Sequence, residues 1–284
     1  MSDVEPISFV SEGVEIHGSL WKADGPASGV VVFCHGAFET SKNWAAFAEK
    51  LSQDGFTSLT FDFAGHGQSQ GLRGQVNLRG WTYNIRDALI NLQVLGYPAA
   101  GLVGWDSGGS AALLAAAHDK HARCAVILSA PVYLLPTLAE RVAYGLASLV
   151  AKLKLWILHK PLTLSRLNEM KGLGILADET ANEAYFEDHA VQEIYKAVPI
   201  PESLDSVWMD ITGTVQKVNV PVLVVQGVED KIIPINQAQK LYDLLPGRKE
   251  IKMVEGCGHA IHLDIEKDAV YELILNWMKA NLKK

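Results

Sequence analysis

The sequence predicts an α/β protein with a mostly parallel central sheet, flanking helices and an inserted helical cap. Three observations carry that expectation. Short β-branched runs alternate with longer helical patterns from about residue 28 to 130, and such alternation implies parallel strands joined by right-handed crossovers. The alternation stops after Pro131 and resumes near 220. Apolar residues make up 49% of the 284-residue chain, enough to cover both faces of a buried sheet.

The elements follow in order. VSEGVEIHGSLW (10–21) alternates around a Gly turn and predicts an antiparallel pair at the sheet edge. GVVVFCH (29–35) is a continuous apolar strand, and 44–53 has helical spacing at Trp44, Phe47, Ala48 and Leu51 before the turn pair Asp54-Gly55. TSLTFDF (57–63) is the next strand. Trp81, Ile85, Ala88, Leu89, Leu92 and Leu95 share one side of a helix over 79–95, ended by Gly96. GLVGW (101–105) is a strand, 107–118 a helix of small residues, and CAVILSA (124–130) a strand. From Pro131 to about 217 no strand-like run occurs, only helical segments at 137–153 and 178–197. The strand VPVLVVQG (220–227), a helix near 236–245, the strand EIKMVEG (250–256) and a helix over 266–281 complete the chain. The expected division is a core domain of 1–130 and 218–284, with a cap of 131–217.

Composition narrows the function. With a net charge of −7 and no basic cluster, the chain is not expected to bind nucleic acid. MSDVEPISF lacks the apolar region of a secretory signal. Lys152 and Lys154 break the longest apolar stretch, so no membrane span is expected. Three scattered cysteines, Cys34, Cys124 and Cys257, argue for a reducing compartment, hence a cytoplasmic protein. Cys257 reads as a small packed residue. No dinucleotide-binding or phosphate-binding loop occurs, and no cofactor is expected. His118 and His121 lie i,i+3 without a supporting carboxylate or Cys pattern, and read as a polar helix end rather than a metal site. The expected partner is a small-molecule substrate.

The chemistry centres on GWDSGG (104–109), which follows a buried strand and opens a small-residue helix. A nucleophile elbow is a strained strand-to-helix turn that needs small residues two before and two after the reactive side chain. Gly104 and Gly108 satisfy this only for Asp106. Centring on Ser107 would put Trp105 where a small residue is required. The competing reading makes Asp106 a simple helix cap. His35-Gly36-Ala37 follows the first core strand, where a loop N–H completes an oxyanion hole. The candidate donors are the N–H groups of Ala37 and Ser107, with Phe38 as a neighbouring alternative. Asp230 follows the strand VLVVQG, and His259 lies in the Gly-rich loop after EIKMVEG. His259 is the candidate base and Asp230 its orienter, with Glu229 and His262 as rivals. Phe38, Trp105 and Tyr133 are the candidate substrate contacts. Leu146, Leu149, Val150, Leu153, Leu155, Trp156, Ile157 and Leu158 read first as a packed stripe and second as a lid facing lipid-like substrates.

HGAFE (35–39), FDFAGHGQSQGLRG (61–74), GWDSGG (104–109), the Asp230 loop and GCGH (256–259) resemble the α/β-hydrolase superfamily over nearly the whole chain. The nearest resemblance is to its lysophospholipase and monoacylglycerol-lipase branch. It implies that D-x-x-G-H-G-x-S (62–69) is a supporting turn, with His66 outside the chemistry. That branch carries serine where this chain has Asp106. A carboxylate attacking an acyl carbon would give an anhydride, whereas at a saturated carbon it gives an alkyl ester that activated water cleaves. The latter resembles the epoxide hydrolase and haloalkane dehalogenase branches. Epoxide hydrolases usually carry proline shortly after His-Gly, and here Ala37-Phe38-Glu39 follows. Their ring-protonating cap tyrosines have candidates in Tyr133, Tyr144, Tyr185 and Tyr195. Haloalkane dehalogenases put Trp after the nucleophile, and here Trp105 precedes it. The expected reaction is hydrolysis through a covalent ester on Asp106, of epoxide or alkyl-halide type. The alternative is a carboxylic-ester or acylglycerol hydrolase scaffold in which Asp106 replaces serine, down to a protein that binds without turnover.

Overall fold

The computed structural model describes residues 3–134, 137–200 and 209–282; residues 135–136 and 201–208 of the expected cap lie outside these. The hairpin β1 (Val4–Ser11) and β2 (Val14–Trp21) turns on Glu12 and Gly13, both at positive φ. This left-handed pair matches the twist of the flanking strands. β2 also pairs antiparallel with β4 (Thr57–Phe61), and from there every contact is parallel. With β3 (Val30–Cys34), β5 (Ala100–Trp105), β6 (Ala122–Leu128), β9 (Val222–Gly227) and β10 (Lys249–Val254), the order across the sheet is β1-β2-β4-β3-β5-β6-β9-β10.

Successive residues of a strand face opposite sides, and the core divides accordingly. Val30, Val32 and Cys34 join one buried cluster with Trp81, Ile85 and Leu89 of α2 (Leu78–Val94) and the alanines of α3 (Asp106–His118). Val31 and Phe33 join the other with Phe47 and Leu51 of α1 (Ala45–Gln53) and Ile274 and Met278 of α10 (Lys267–Asn281). Leu59 and Leu102 are wholly buried, and truncating either to Ala would cost about 2–5 kcal/mol. α9 (Ile235–Leu244) crosses between β9 and β10, placing Ala238 and Leu241 in the first cluster.

Between β6 and β9 the chain runs through α4 (Leu138–Leu158), α5 (Leu167–Leu173), α6 (Glu179–Glu187) and α7 (His189–Lys196). Four sequence expectations are corrected here. The first helix continues five residues past 153: a capping box between Thr137 and Glu140 starts it, and Lys152 and Lys154 favour helix. The expected helix over 178–197 is two, because Asp188 is extended between α6 and α7. The insertion also contains strand, a two-residue ladder of β7 (Thr163–Leu164) with β8 (Val198–Pro199), too short to leave a period in the sequence. The apolar stripe of α4 is not packed as first read. Only the small Ser148 and Ala151 are buried, while Leu146, Leu149, Leu153, Ile157 and Leu158 are exposed and Trp156 is 78% exposed. After the undescribed stretch, Met209, Ile211 and Val215 of the segment around α8 (Thr212–Val215) already belong to the core. No described helix is long and apolar enough to cross a membrane.

Candidate active site

β5 ends at Trp105 and α3 begins at Asp106, with no residue between to make the turn. Asp106 absorbs the bend at φ +52°, a left-handed conformation that non-glycine residues hold at a cost of about 1–3 kcal/mol. The close approach explains the flanking glycines. A Cβ on Gly108 would stand 2.1 Å from the His35 carbonyl oxygen, and one on Gly104 would stand 2.6 Å from Gly109 Cα. Asp106 is thus both strained and at the N-terminus of α3, where the helix dipole favours a negative charge.

The parallel register pairs Cys34 with Gly104, so the loop after β3 lies beside the elbow. His35 fixes that loop. Its Nε2 accepts the Phe63 N–H at 2.9 Å, which leaves Nδ1–H to donate to the Gly36 carbonyl at 2.8 Å. The Ala37 N–H then donates to Asp106 Oδ2 at 2.8 Å. The turn at 62–69 braces the same region: the Asp62 carboxylate accepts the N–H groups of Ser41 and Gln68 at 2.7 and 2.8 Å.

On the other side, β9 and β10 pair Gly227 with Val254, bringing their following loops together. His259 Nδ1 lies 2.9 Å from Asp230 Oδ2, and His259 Nε2 lies 3.8 Å from Asp106 Oδ1, beyond hydrogen-bond reach. Asp230 Oδ1 accepts the N–H groups of Ile232 and Ile233, both at 2.8 Å. Burial alone would raise the Asp230 carboxyl, but the charge and hydrogen bond of His259 and these N–H groups outweigh it and hold it below the usual value. Burial likewise pushes His259 down, and the attraction of Asp230, its hydrogen bond and the charge of Asp106 reverse the balance, leaving the imidazole above its ordinary value. Its carbonyl accepts the Trp105 indole N–H at 2.9 Å, so Trp105 ties the elbow to the histidine loop.

A cavity of about 530 Å³ opens over Asp106, walled by Ala37, Phe38, Trp105, Ser107 and His259 from the core and by Tyr144, Arg166, Met170 and Tyr195 from the insertion. Of the expected substrate contacts, Phe38 and Trp105 face it. Tyr133 does not. Its main chain pairs with the Gln237 amide and bridges to Asp210, which fixes it against the core instead. Tyr144 and Tyr195 line the cavity, whereas the Tyr185 hydroxyl donates to Glu39 in an adjoining crevice. The rivals go elsewhere. Glu229 is exposed, and His262 stacks on Trp44 with ring centroids 4.1 Å apart. His121 pairs with Asp119 at 2.7 Å, and among the described residues no group of three or more His, Cys, Asp or Glu is arranged to hold a metal. Burial pushes the Cys257 thiol up to about 11.

Three supporting residues escaped the sequence reading. Gln226 donates Nε2 to Asp230 Oδ2 at 2.8 Å; a glutamine inside the apolar run VLVVQG was its signal. Asp264 Oδ2 accepts the N–H groups of Gly258 and Ala177 at 2.8 and 2.7 Å, pinning the His259 loop to the insertion. Glu39 is 4% exposed, and nothing in its local sequence marks it as buried.

The fold is that of an α/β-hydrolase. The chain matches the serine aminopeptidase S33 family of hydrolases over residues 25–266 and belongs to it. It is 24% identical over 285 residues to a monoacylglycerol lipase of Mycolicibacterium smegmatis, covering 95% of each chain. It is 25% identical over 275 residues to the monoglyceride lipase of Rattus norvegicus, covering 94% of this chain and 88% of that one. Among solved structures, the α/β hydrolase GrgF from Penicillium sp. sh18 has a TM-score of 0.86 at 17% identity, covering 99% of both chains. A monoacylglycerol lipase from Paleococcus ferrophilus has a TM-score of 0.73 at 23% identity, covering 93% of this chain and 98% of that one. Likeness at this level of identity establishes the shared fold.

Proposed function

We propose that this hydrolase opens a carbon–oxygen bond at a saturated, electrophilic carbon, as in an epoxide, through an alkyl ester on Asp106, with residues 131–217 acting as the cap. One observation supports this above the others: the two oxygens of Asp106 have different neighbours. Oδ2 rests on the Ala37 N–H, while Oδ1 is turned toward His259 Nε2. In an acyl hydrolase the hole receives the substrate's oxygen. Here the Ala37 donor already serves the nucleophile's own second oxygen.

The same arrangement suits an alkyl route. Oδ1 attacks the carbon, the ring C–O bond breaks, and the released alkoxide takes a proton from a cavity tyrosine. Tyr195 is the candidate because it lines the same cavity as Asp106; burial and the Asp106 charge keep its phenol protonated, though a weaker acid than a free tyrosine. Water then gives a proton to His259 Nε2 and attacks Cγ, placing negative charge on Oδ2, where the Ala37 and Ser107 N–H groups serve as donors. Collapse breaks the bond from Cγ to the substrate-bearing oxygen, His259 returns its proton to the departing alcohol, and the proton left on the new Asp106 carboxyl passes to the Tyr195 phenolate, restoring both groups. Trp105 has its indole N–H engaged by the His259 carbonyl, which favours an oxygen over a halide leaving group.

The test blocks the second half-reaction. A His259→Gln variant incubated with styrene oxide is expected to accumulate an adduct on the peptide carrying Asp106, read by mass spectrometry. An unmodified Asp106 peptide sinks the proposal. The second reading, an acyl hydrolase with an altered nucleophile, draws support from the names of the relatives and the apolar cavity walls. Under it, Asp106→Ser would gain strong activity on short p-nitrophenyl esters while the native chain leaves epoxides untouched.

A further inference from the structure

Between the Ala37 N–H and the insertion stands a carboxyl group that the proposed reaction does not use. Glu39 is buried against a 700 Å³ crevice, and its two oxygens have different partners. One accepts from the Tyr185 hydroxyl of α6, the other from the side-chain amide of Asn43 in the turn before α1. The residue between Ala37 and Glu39 is Phe38, at φ +61°. A bulky residue holds that left-handed conformation only where its surroundings over-determine it. Upstream the loop is fixed by His35 and by the bond from Ala37 to Asp106. Downstream the side-chain anchor nearest the strained residue is Glu39.

We propose that Glu39 is a positioning residue: its carboxyl ties α6 of the insertion to the strained loop that presents the Ala37 N–H, and so sets the hole around Asp106. Its catalytic consequence rests on reading Asp106 as the nucleophile; the tie itself does not.

The charges around Glu39 give the tie a pH dependence. The elbow contributes Asp106, and the junction of α6 and α7 contributes Asp188, both repelling an ionised Glu39. α7 adds the phenol of Tyr195, itself raised by Glu39, and Glu193 across the crevice. The loop around 62–73 faces the same crevice with Asp62, His66 and Arg73, and Lys42 stands at its rim. Burial, reduced by the Asn43 hydrogen bond but reinforced by the two aspartates, pushes Glu39 up to about 8. At neutral pH it is a neutral acid; a glutamine amide matches its shape and keeps one accepting oxygen, and its NH2 donates where the acid's O–H would, to Tyr185 Oη or to an Asn43 amide turned about. In an opened loop the carboxyl returns to its ordinary 4.5 and loses its proton first, so opening becomes easier as pH rises from there to about 8 and no easier beyond.

The experiment measures amide hydrogen exchange in the peptide covering 35–40, in the full chain, for the wild type, Glu39→Gln, Glu39→Ala and Tyr185→Phe. Alongside it, the rate of Asp106 modification by styrene oxide is followed in the His259→Gln background. At pH 7, exchange in this peptide should quicken at least tenfold in Glu39→Ala and Tyr185→Phe and stay within twofold of wild type in Glu39→Gln. Between pH 5 and 8, after correction for base-catalysed exchange, the wild type should lose protection and then level off, while Glu39→Gln keeps it. The modification rate should follow the same order. Wild-type protection in both Glu39→Ala and Tyr185→Phe overturns the inference. So does a Glu39→Gln variant as unprotected as Glu39→Ala, or the same pH response in wild type and Glu39→Gln. If protection follows the expected order but no variant is ever modified at Asp106, the tie stands and the nucleophile reading falls.

Discussion

The His259 imidazole acts on both Asp230 and His262, favouring the charged form of the carboxylate and disfavouring that of the second histidine. Asp230 raises the His259 imidazole, so Asp230→Asn is expected to lower it and to free the tautomer that the carboxylate now holds. In rapid-mixing experiments the ester should still form on Asp106, but its decay should slow by roughly 10²–10⁴-fold, with the pH limb of the decay displaced toward acid. His262 is pushed down to about 3 by burial and by His259, and neither of its ring nitrogens has a partner among the described residues. A folded value below the ordinary 6.5 means that the unfolded chain binds the proton first. Stability is therefore full above pH 6.5 and drains away as pH falls toward 3, by up to about 1.4 kcal/mol per pH unit. His262→Phe keeps the stacking on Trp44 and removes this term, so denaturant titrations at pH 7 and 4.5 should show a smaller acid loss than wild type. At this scale the sequence was informative for residues whose place depends on their own strand end. Asp106, Asp230 and His259 each follow a strand, and the sheet brings them within reach of one another. Glu39 was not legible, because its burial depends on Tyr185, 146 positions away.

The elements separate by how they are covered. α3 is almost wholly small residues, Ser110, Ala111, Ala112, Ala115 and Ala116 among them, and this lets it lie close on β5 and β6 behind the elbow. α4 turns small residues inward at Ser148 and Ala151 and large ones outward. Substitutions on its two faces should therefore behave in reverse of their hydrophobicity. Trp156→Lys is expected to change unfolding free energy by no more than about 0.5 kcal/mol, whereas Ala151→Leu overpacks the inner face and should cost about 1–3 kcal/mol. Thermal and denaturant unfolding would check both. The helical period of α4 was plain in the sequence; which way its apolar side faces was not. Periodicity reports that a helix has two faces, and a neighbour decides which one is covered. The strands of the main sheet were easier, because residues buried on both sides leave continuous apolar runs that need no choice of face.

Across the molecule, burial is uneven. The sheet with α1, α2, α3 and α10 carries two dense clusters of large side chains, while α5 buries none of its residues and α4 only two small ones. Few buried apolar contacts mean low local stability, so native-state exchange should release the amides of α4 and α5 well before those of α3 and β5. Equal protection throughout would show the insertion to be held as firmly as the core. The overall division was legible because it is written in large periods, strand and helix alternating and then ceasing. The β7/β8 ladder and the break at Asp188 were invisible because each hangs on one or two residues. The carboxylate at the elbow also decides how the whole protein meets reagents made for its relatives. Fluorophosphonate probes mark serine hydrolases by leaving a stable phosphorus–oxygen ester on the hydroxyl. An aspartate would yield a mixed anhydride that water soon removes, so a proteome-wide tagging screen would pass over this chain while capturing its serine-bearing kin.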